Sequence, residues 1–398
     1  MDRRTSLKAA ALIPLGALAL SRAGRLFAAP SAGGKLLIVF LRGGYDAANL
    51  LVPVSSPFYY ESRPNIAVAR PGSDANAAIA LDADWGLHPA LRASILPLYE
   101  KKQAAFVPFA GTEDLSRSHF ETQDSIELGQ PLKGEHDFQS GFLNRLVAAM
   151  SDHRGMSFTD QLPLIFRGGA QVPNMALRSL AKPGVDARQG EIIREMYRGT
   201  RLESRVNEGL SVRDEVMRDM AGEMEMASRN AISTKGFELE ARRIARLMVE
   251  RYDVGFIDVG GWDTHVGEGG AAGYLATRLE ELGRGLAGFS DAMGAGWSDT
   301  VVVVISEFGR TFRENGNRGT DHGHGTVYWV LGGSVRGGRV AGEQVRVERA
   351  ALLQDRDYPV LNEYRAVLAG LAARLFGLDE TRLQEVFPGA KPRDLQLI

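Results

Sequence analysis

Val301-Val302-Val303-Val304-Ile305-Ser306-Glu307-Phe308-Gly309-Arg310 is the stretch whose reading decides the fold. Five consecutive β-branched apolar residues, closed by a polar and glycine-containing turn, read as a strand buried on both faces. That is the strand type of a parallel sheet covered by helices. Similar runs recur along the chain. Lys35 to Leu41 (KLLIVFL) leads into Arg42-Gly43-Gly44-Tyr45-Asp46, and Ala104 to Phe109 reads AAFVPF. Tyr252 to Val259 (YDVGFIDV) leads into Gly260-Gly261-Trp262-Asp263-Thr264-His265, and Val327 to Leu331 reads VYWVL. Leu162 to Phe166 is a further strand candidate. Helical patterns lie between: His88 to Tyr99 with Pro89 in its first turn, a helix opening at Ser118, Tyr274 to Met293, and Leu361 to Leu375. Residues 186–250, rich in Arg, Glu, Met, Leu and Ala, read as two or three amphipathic helices inserted into the same domain. Alternating strands and helices predict an α/β chain, a three-layer α/β/α sandwich on a mostly parallel sheet, filling residues 30–398 as a single domain.

The chain has 398 residues, 44% hydrophobic and 24% charged, with a formal net charge of -2. That is an ordinary globular composition without the basic field that nucleic-acid binding needs. Cysteine is absent. Disulfides, thiolate metal sites and a cysteine nucleophile are therefore excluded. A bound metal must be held by His, Asp, Glu, hydroxyls or water, which suits zinc, manganese, iron, magnesium or calcium.

Residues 1–29 read as an export leader. Met1 to Lys8 is basic with adjacent Arg3 and Arg4, Ala9 to Leu20 is apolar, and Ala28-Ala29 offers a cleavage site. Arg3-Arg4-Thr5-Ser6-Leu7-Lys8 resembles a twin-arginine signal, with Ser6 in place of the usual aromatic. The expectation is recognition by the twin-arginine export machinery, a periplasmic or secreted location, and no stable membrane span after removal. Loss of Arg3, Arg4, Lys8, Arg22 and Arg25 against Asp2 would leave a net charge of -6.

Thr320-Asp321-His322-Gly323-His324-Gly325 places two imidazoles and a carboxylate in one short loop. Asp263 and His265 are two residues apart, so an extended segment presents both on one face. Glu307 ends the most apolar strand, where an unpaired carboxylate is costly. It is a metal ligand or the partner of Arg310. Asp46 follows paired glycines and is either a ligand or a helix cap. Because ligands gather beyond the carboxyl ends of parallel strands, these loops are expected to converge on a metal site. The expected ligands are Asp46, Asp263, His265, Glu307, Asp321, His322 and His324, with one or two divalent ions. Ser118, at a helix start where free N–H groups favour an anion, is the candidate nucleophile or a simple N-cap. Arg117 or Arg42 could meet the same anion, and His119 completes the candidate catalytic group with Ser118 and Arg117.

Six motifs in order resemble the domain-of-unknown-function 1501 (DUF1501) family. They are Phe40-Leu41-Arg42-Gly43-Gly44-Tyr45-Asp46, Leu87-His88-Pro89-Ala90-Leu91, Ser116-Arg117-Ser118-His119-Phe120, Gly261-Trp262-Asp263-Thr264-His265, Ser306-Glu307-Phe308-Gly309-Arg310 and Thr320-Asp321-His322-Gly323-His324-Gly325. The family is similar to the alkaline phosphatase and sulfatase superfamily. The resemblance implies that fold, a metal-dependent hydrolase of phosphate or, less readily, sulfate esters, and a small anionic ester or anionic glycan as substrate. In the superfamily plan Asp46 matches a first-strand ligand and Ser118 a nucleophile position. An imidazole often follows the acidic ligand at the position of Phe308, so Asp321 or a second histidine of the 322–324 loop is expected to replace it. Ser116-Arg117-Ser118 lacks the proline of a sulfatase nucleophile motif. The alternative is a non-catalytic exported binding protein on the same fold, with at most a structural metal.

Overall fold

A computed structural model describes residues 33–150, 152–175, 187–211 and 236–398. The expected leader and residues 212–235 of the expected helical segment lie outside the described residues. The strands are β1 (Lys35–Leu41), β2 (Leu51–Val52), β3 (Ile79–Ala80), β4 (Gly86–Leu87), β5 (Ala104–Gly111), β6 (Gly155–Ser157), β7 (Val254–Val259), β8 (Thr300–Ser306), β9 (Thr326–Gly332), β10 (Arg339–Val340) and β11 (Asn362–Glu363). The helices are α1 (Ala47–Leu50), α2 (Pro57–Ser62), α3 (Ile95–Glu100), α4 (His119–Leu128), α5 (Phe142–Ala148), α6 (Ala187–Tyr197), α7 (Phe237–Glu250), α8 (Tyr274–Met293), α9 (Tyr364–Phe376) and α10 (Glu380–Val386).

The main sheet runs β10-β5-β9-β8-β1-β7-β6, with β11 beside β5. Its pairings are parallel except at β9, which is antiparallel to both β5 and β8. Side chains alternate across β1. Leu37, Val39 and Leu41 face one core with Ile244, Met248, Leu279 and Leu286 of α7 and α8. Leu36, Ile38 and Phe40 face the other, with Leu143, Leu146, Leu368 and Leu371 of α5 and α9. Helices thus cover both faces, giving the three-layer α/β/α sandwich. This double cover is why β1 and β8 read as unbroken apolar runs.

Three local expectations are corrected. Leu164–Phe166 is a 3-10 turn following Pro163, not a strand. The helix expected over His88 to Tyr99 breaks into a 3-10 turn, Pro89–Leu91, and α3. The loop of Asp321, His322 and His324 does not follow a parallel strand but precedes the antiparallel β9. Since β8 ends where β9 begins, residues 307–325 leave and rejoin the sheet at one edge.

Candidate metal centre

β1, β5, β7 and β8 share one direction, so the loops after them gather at the edge where β9 starts. Two glycines let the first loop pass through. A Cβ on Gly43 (φ +123°) would lie 2.7 Å from the Asp263 nitrogen, and one on Gly44 (φ +62°) 2.5 Å from the Phe308 ring. The 307–325 excursion doubles back as a narrow ribbon, with Thr311 N donating to Asp321 O at 2.9 Å and Gly323 N to Gly309 O at 2.9 Å.

Four side chains meet there. Ligand atoms of His119, Asp263 and His322 all lie within 4.8 Å of one another. His265 joins them, its Nε2 3.0 Å from His322 Nε2 and 2.9 Å from Asp263 Oδ1. His322 Nε2 is 3.3 Å from Asp263 Oδ1, and His119 Nε2 is 3.5 Å from Asp263 Oδ2.

The far nitrogen of each ring has its own acceptor. His119 Nδ1 donates to Glu307 Oε1 at 2.8 Å, His265 Nδ1 to Asp321 Oδ1 at 3.1 Å, and His322 Nδ1 to the Arg117 carbonyl at 3.0 Å. These bonds assign the proton to Nδ1 in all three rings and turn the Nε2 lone pairs inward. His119 Nε2 is buried and has no hydrogen-bond partner among the described residues. A proton between His265 and His322 would have to make one ring a cation or leave its Nδ1 acceptor facing a bare nitrogen. Converging lone pairs beside a carboxylate, each ring braced from behind, fit a divalent cation.

The surroundings brace the set. Glu307 is fully buried and accepts from Gly43 N, Gln123 Nε2 and His119 Nδ1, each at 2.8 Å, while Ser306 Oγ lies 2.9 Å from its other oxygen. Burial pushes its pKa up, but the His119, Gln123 and Gly43 bonds prevail and hold it below the ordinary value. The Glu307 bond in turn raises the His119 pKa against its burial. Asp263 is pushed up by burial and brought below its usual range by the Arg310 bond and charge. Arg310 Nη1 donates to Asp263 Oδ1 at 2.6 Å, and its Nε to Thr320 Oγ1 at 3.2 Å. Arg310 therefore pairs with Asp263 rather than Glu307. The Phe308 ring walls the set, 4.9 Å from His119 and 5.2 Å from His322 between ring centres.

The structure places the expected residues at three depths. His119, Asp263, His265 and His322 meet at the centre. Glu307 and Asp321 sit one layer out, each behind a histidine, where they orient a ring. Asp46, His324, Ser118 and the Arg117 guanidinium are engaged elsewhere. Asp46 caps α1 and spends both carboxylate oxygens on Arg63, with Oδ1 accepting from Nη2 at 3.0 Å and Oδ2 from Nη1. His324 is buried and bonds the backbone of Asp114, and burial with the nearby Arg117 charge pushes its pKa down to about 4. Ser118 N-caps α4, its Oγ accepting from Glu121 N at 3.5 Å. Arg117 gives Nη2 and Nε to Asp357 Oδ2 at 2.7 and 2.9 Å, and Arg42 is held by Glu127 and Asp258. The ligand expected from Asp321 or a second histidine of the 322–324 loop is not found there; the further imidazole at the cluster is His119. His88 is structural, with Nδ1 accepting from Ala90 N at 3.1 Å and Nε2 bonding Gly270 O at 3.0 Å. Sequence reasoning missed Glu268, Arg63, Gln123 and Asn315. Asn315 Nδ2 braces Asp321 at 3.1 Å. None of the four sits in a spacing that distinguishes it from ordinary polar residues.

Comparison with solved structures finds distant likenesses, among them these two. One is Ps i-CgsB, crystallised in complex with k-i-k-neocarrahexaose, at 9% identity and a TM-score of 0.34, covering 88% of this chain and 74% of that chain. The other is a protein in the alkaline phosphatase superfamily from Vibrio parahaemolyticus, at 12% identity and a TM-score of 0.36, covering 78% of this chain and 63% of that one. Comparison with curated proteins returns no match. The family described as "Protein of unknown function (DUF1501)" matches residues 34–387, which carry every loop of the candidate centre, and the chain belongs to that family.

Proposed function

We propose that the chain is an exported, metal-dependent hydrolase of phosphate esters, less readily of sulfate esters. It would work with one divalent ion held by Asp263 and the Nε2 atoms of His119, His265 and His322. The observation that carries this reading is the trio of braced rings, whose Nδ1 atoms are all occupied and whose Nε2 atoms all face one carboxylate. Three imidazoles and a carboxylate suit zinc, manganese or iron better than magnesium or calcium. One ion is expected rather than two, because Arg63 already neutralises Asp46. The leader-like residues 1–29 support export, and the order of motifs supports the ester substrate. Among the described residues no helix is long and apolar enough to cross a membrane.

A bound ion would polarise a substrate oxygen and lower the pKa of the attacking group. The chain's own residues do the rest. Arg310 fixes Asp263, Glu307 and Asp321 fix two rings, and Phe308 keeps water from one side of the set. The Ser118 hydroxyl accepts from the Glu121 amide, and no carboxylate or imidazole among the described residues takes its proton. Water is therefore the proposed nucleophile. The non-catalytic reading draws support from Arg117 and Arg42, which are both committed to ion pairs and not free to clamp an anion.

The test is metal analysis of purified protein, followed by hydrolysis of p-nitrophenyl phosphate, its phosphodiester and p-nitrophenyl sulfate. One ion per chain is expected, with hydrolysis lost in His322→Ala and kept in Ser118→Ala. Metal binding without hydrolysis of any of the three would leave the binding-protein reading standing instead.

A further inference from the structure

Behind the centre lies a second carboxyl group with an unusual position. Glu268 is fully buried. Its Oε2 accepts from Thr264 Oγ1 at 2.8 Å and from Thr320 Oγ1 at 2.8 Å. Thr264 stands between Asp263 and His265, and Thr320 immediately precedes Asp321-His322. One oxygen thus joins two loops from different strands, and between them these loops carry three of the four proposed ligands. The same two loops touch through backbone, with Thr320 N donating to Thr264 O at 3.0 Å and Glu268 N to Arg318 O at 2.9 Å. They are pressed so closely that a Cβ on Gly319 would lie 2.4 Å from His265 O.

The other oxygen makes no bond of its own. Glu268 Oε1 is buried and no N–H or O–H reaches it. Burial and the nearby Asp46 charge push the Glu268 pKa well above its ordinary value.

We propose that Glu268 is a positioning residue of the metal centre, which ties the 262–265 and 320–322 loops together through one buried carboxyl oxygen. Its role rests on the metal-site reading given above. Glutamine keeps the tie, its carbonyl oxygen accepting from both threonines. Alanine removes both bonds.

The experiment is a zinc titration of full-length wild-type protein, Glu268→Gln and Glu268→Ala in competition with a chelator, with thermal unfolding of each metal-free form. Glu268→Gln is expected to bind zinc within about threefold of wild type. Glu268→Ala is expected to bind about tenfold or more weakly, in the range of lost support behind metal ligands. A folded Glu268→Ala with wild-type affinity overturns the proposal, and so does a Glu268→Gln as weak as alanine. Should Glu268→Ala fail to fold, the Thr264→Val/Thr320→Val double variant removes the tie from the other side. Weaker zinc binding there supports the role, and wild-type binding overturns it. A wild-type chain that takes no zinc at all refutes the centre itself rather than the tie alone.

Discussion

Replacing Glu307 separates what holds the fold from what aims a ligand. Its carboxylate is 0% exposed and faces four polar groups: Gly43 N, Gln123 Nε2, His119 Nδ1 and Ser306 Oγ. In Glu307→Gln the amide oxygen can keep the first three, while its NH2 turns to Ser306 Oγ, whose own proton is directed to Leu41 O at 2.6 Å. What is lost is the charge on the bonds, the difference between about 2 kcal/mol for a charge-assisted bond and about 1 kcal/mol for a neutral one. The expected stability loss in the metal-free protein is therefore about 1–2 kcal/mol, measured by urea unfolding. Glu307→Ala strands three buried donors at about 1–3 kcal/mol each and is expected to cost about 3–5 kcal/mol. Zinc affinity reads the other role: His119 without its carboxylate is less basic and less fixed, and Glu307→Gln is expected to bind about 10- to 100-fold more weakly. The pH dependence has a definite sign. Glu307 titrates below its ordinary 4.5 in the folded protein, so its stabilisation is present above pH 4.5 and lost as the pH falls through its lowered folded value. The gap between wild type and Glu307→Gln should close in that acid range. A Glu307→Gln protein with wild-type zinc affinity and stability within about 0.5 kcal/mol would refute the orienting role, because a lost charge at a buried four-way junction has to register.

His324 gives a second pH signature. The unfolded chain takes its proton near 6.5 and the folded one at about 4, so acidification through that window favours unfolding by about 3 kcal/mol. His324→Gln should shift the acid unfolding midpoint to lower pH, and an unchanged midpoint would count against the buried, neutral imidazole. Arg63 is wholly buried with Asp46, and removing one partner of such a pair costs about 3–5 kcal/mol. Arg63→Met is expected to lose that much in chemical denaturation, part of it restored by adding Asp46→Asn. A loss under about 1 kcal/mol would mean the pair is not what keeps Asp46 occupied.

The strands of the sheet's centre were legible because burial on both faces writes itself as apolar runs in β1, β8 and β9, and in the first four residues of β7. The direction of β9 was not, since a run of Val, Tyr, Trp and Leu looks the same whichever way it pairs. Leu162 to Phe166 misled for a related reason: five residues with four large apolar side chains satisfy a strand pattern, yet Pro163 opens a 3-10 turn there. At the site, Asp263, His265 and His322 were readable from density of chemistry in short loops. Distinguishing a metal ligand from its support was not. Glu307 and His119 lie 188 positions apart, and only the folded sheet shows that the acid stands behind the ring rather than beside it. Asp46 looked like a ligand because its partner, Arg63, sits in a segment without periodicity that reads as loop.

The excursion from β8 to β9 carries Glu307, Phe308, Arg310, Thr320, Asp321 and His322 on one covalent piece anchored at both ends to neighbouring strands. A small slide of that piece moves His322 together with Phe308, which packs on it, and Arg310, which steadies Asp263. Errors of placement are therefore shared rather than independent, and the relative geometry survives displacements that would spoil a site assembled from unlinked loops. The length of chain between β6 and β7, by contrast, enters no distance within the centre. The described part of that stretch serves the core instead, through Ile244 and Met248 of α7.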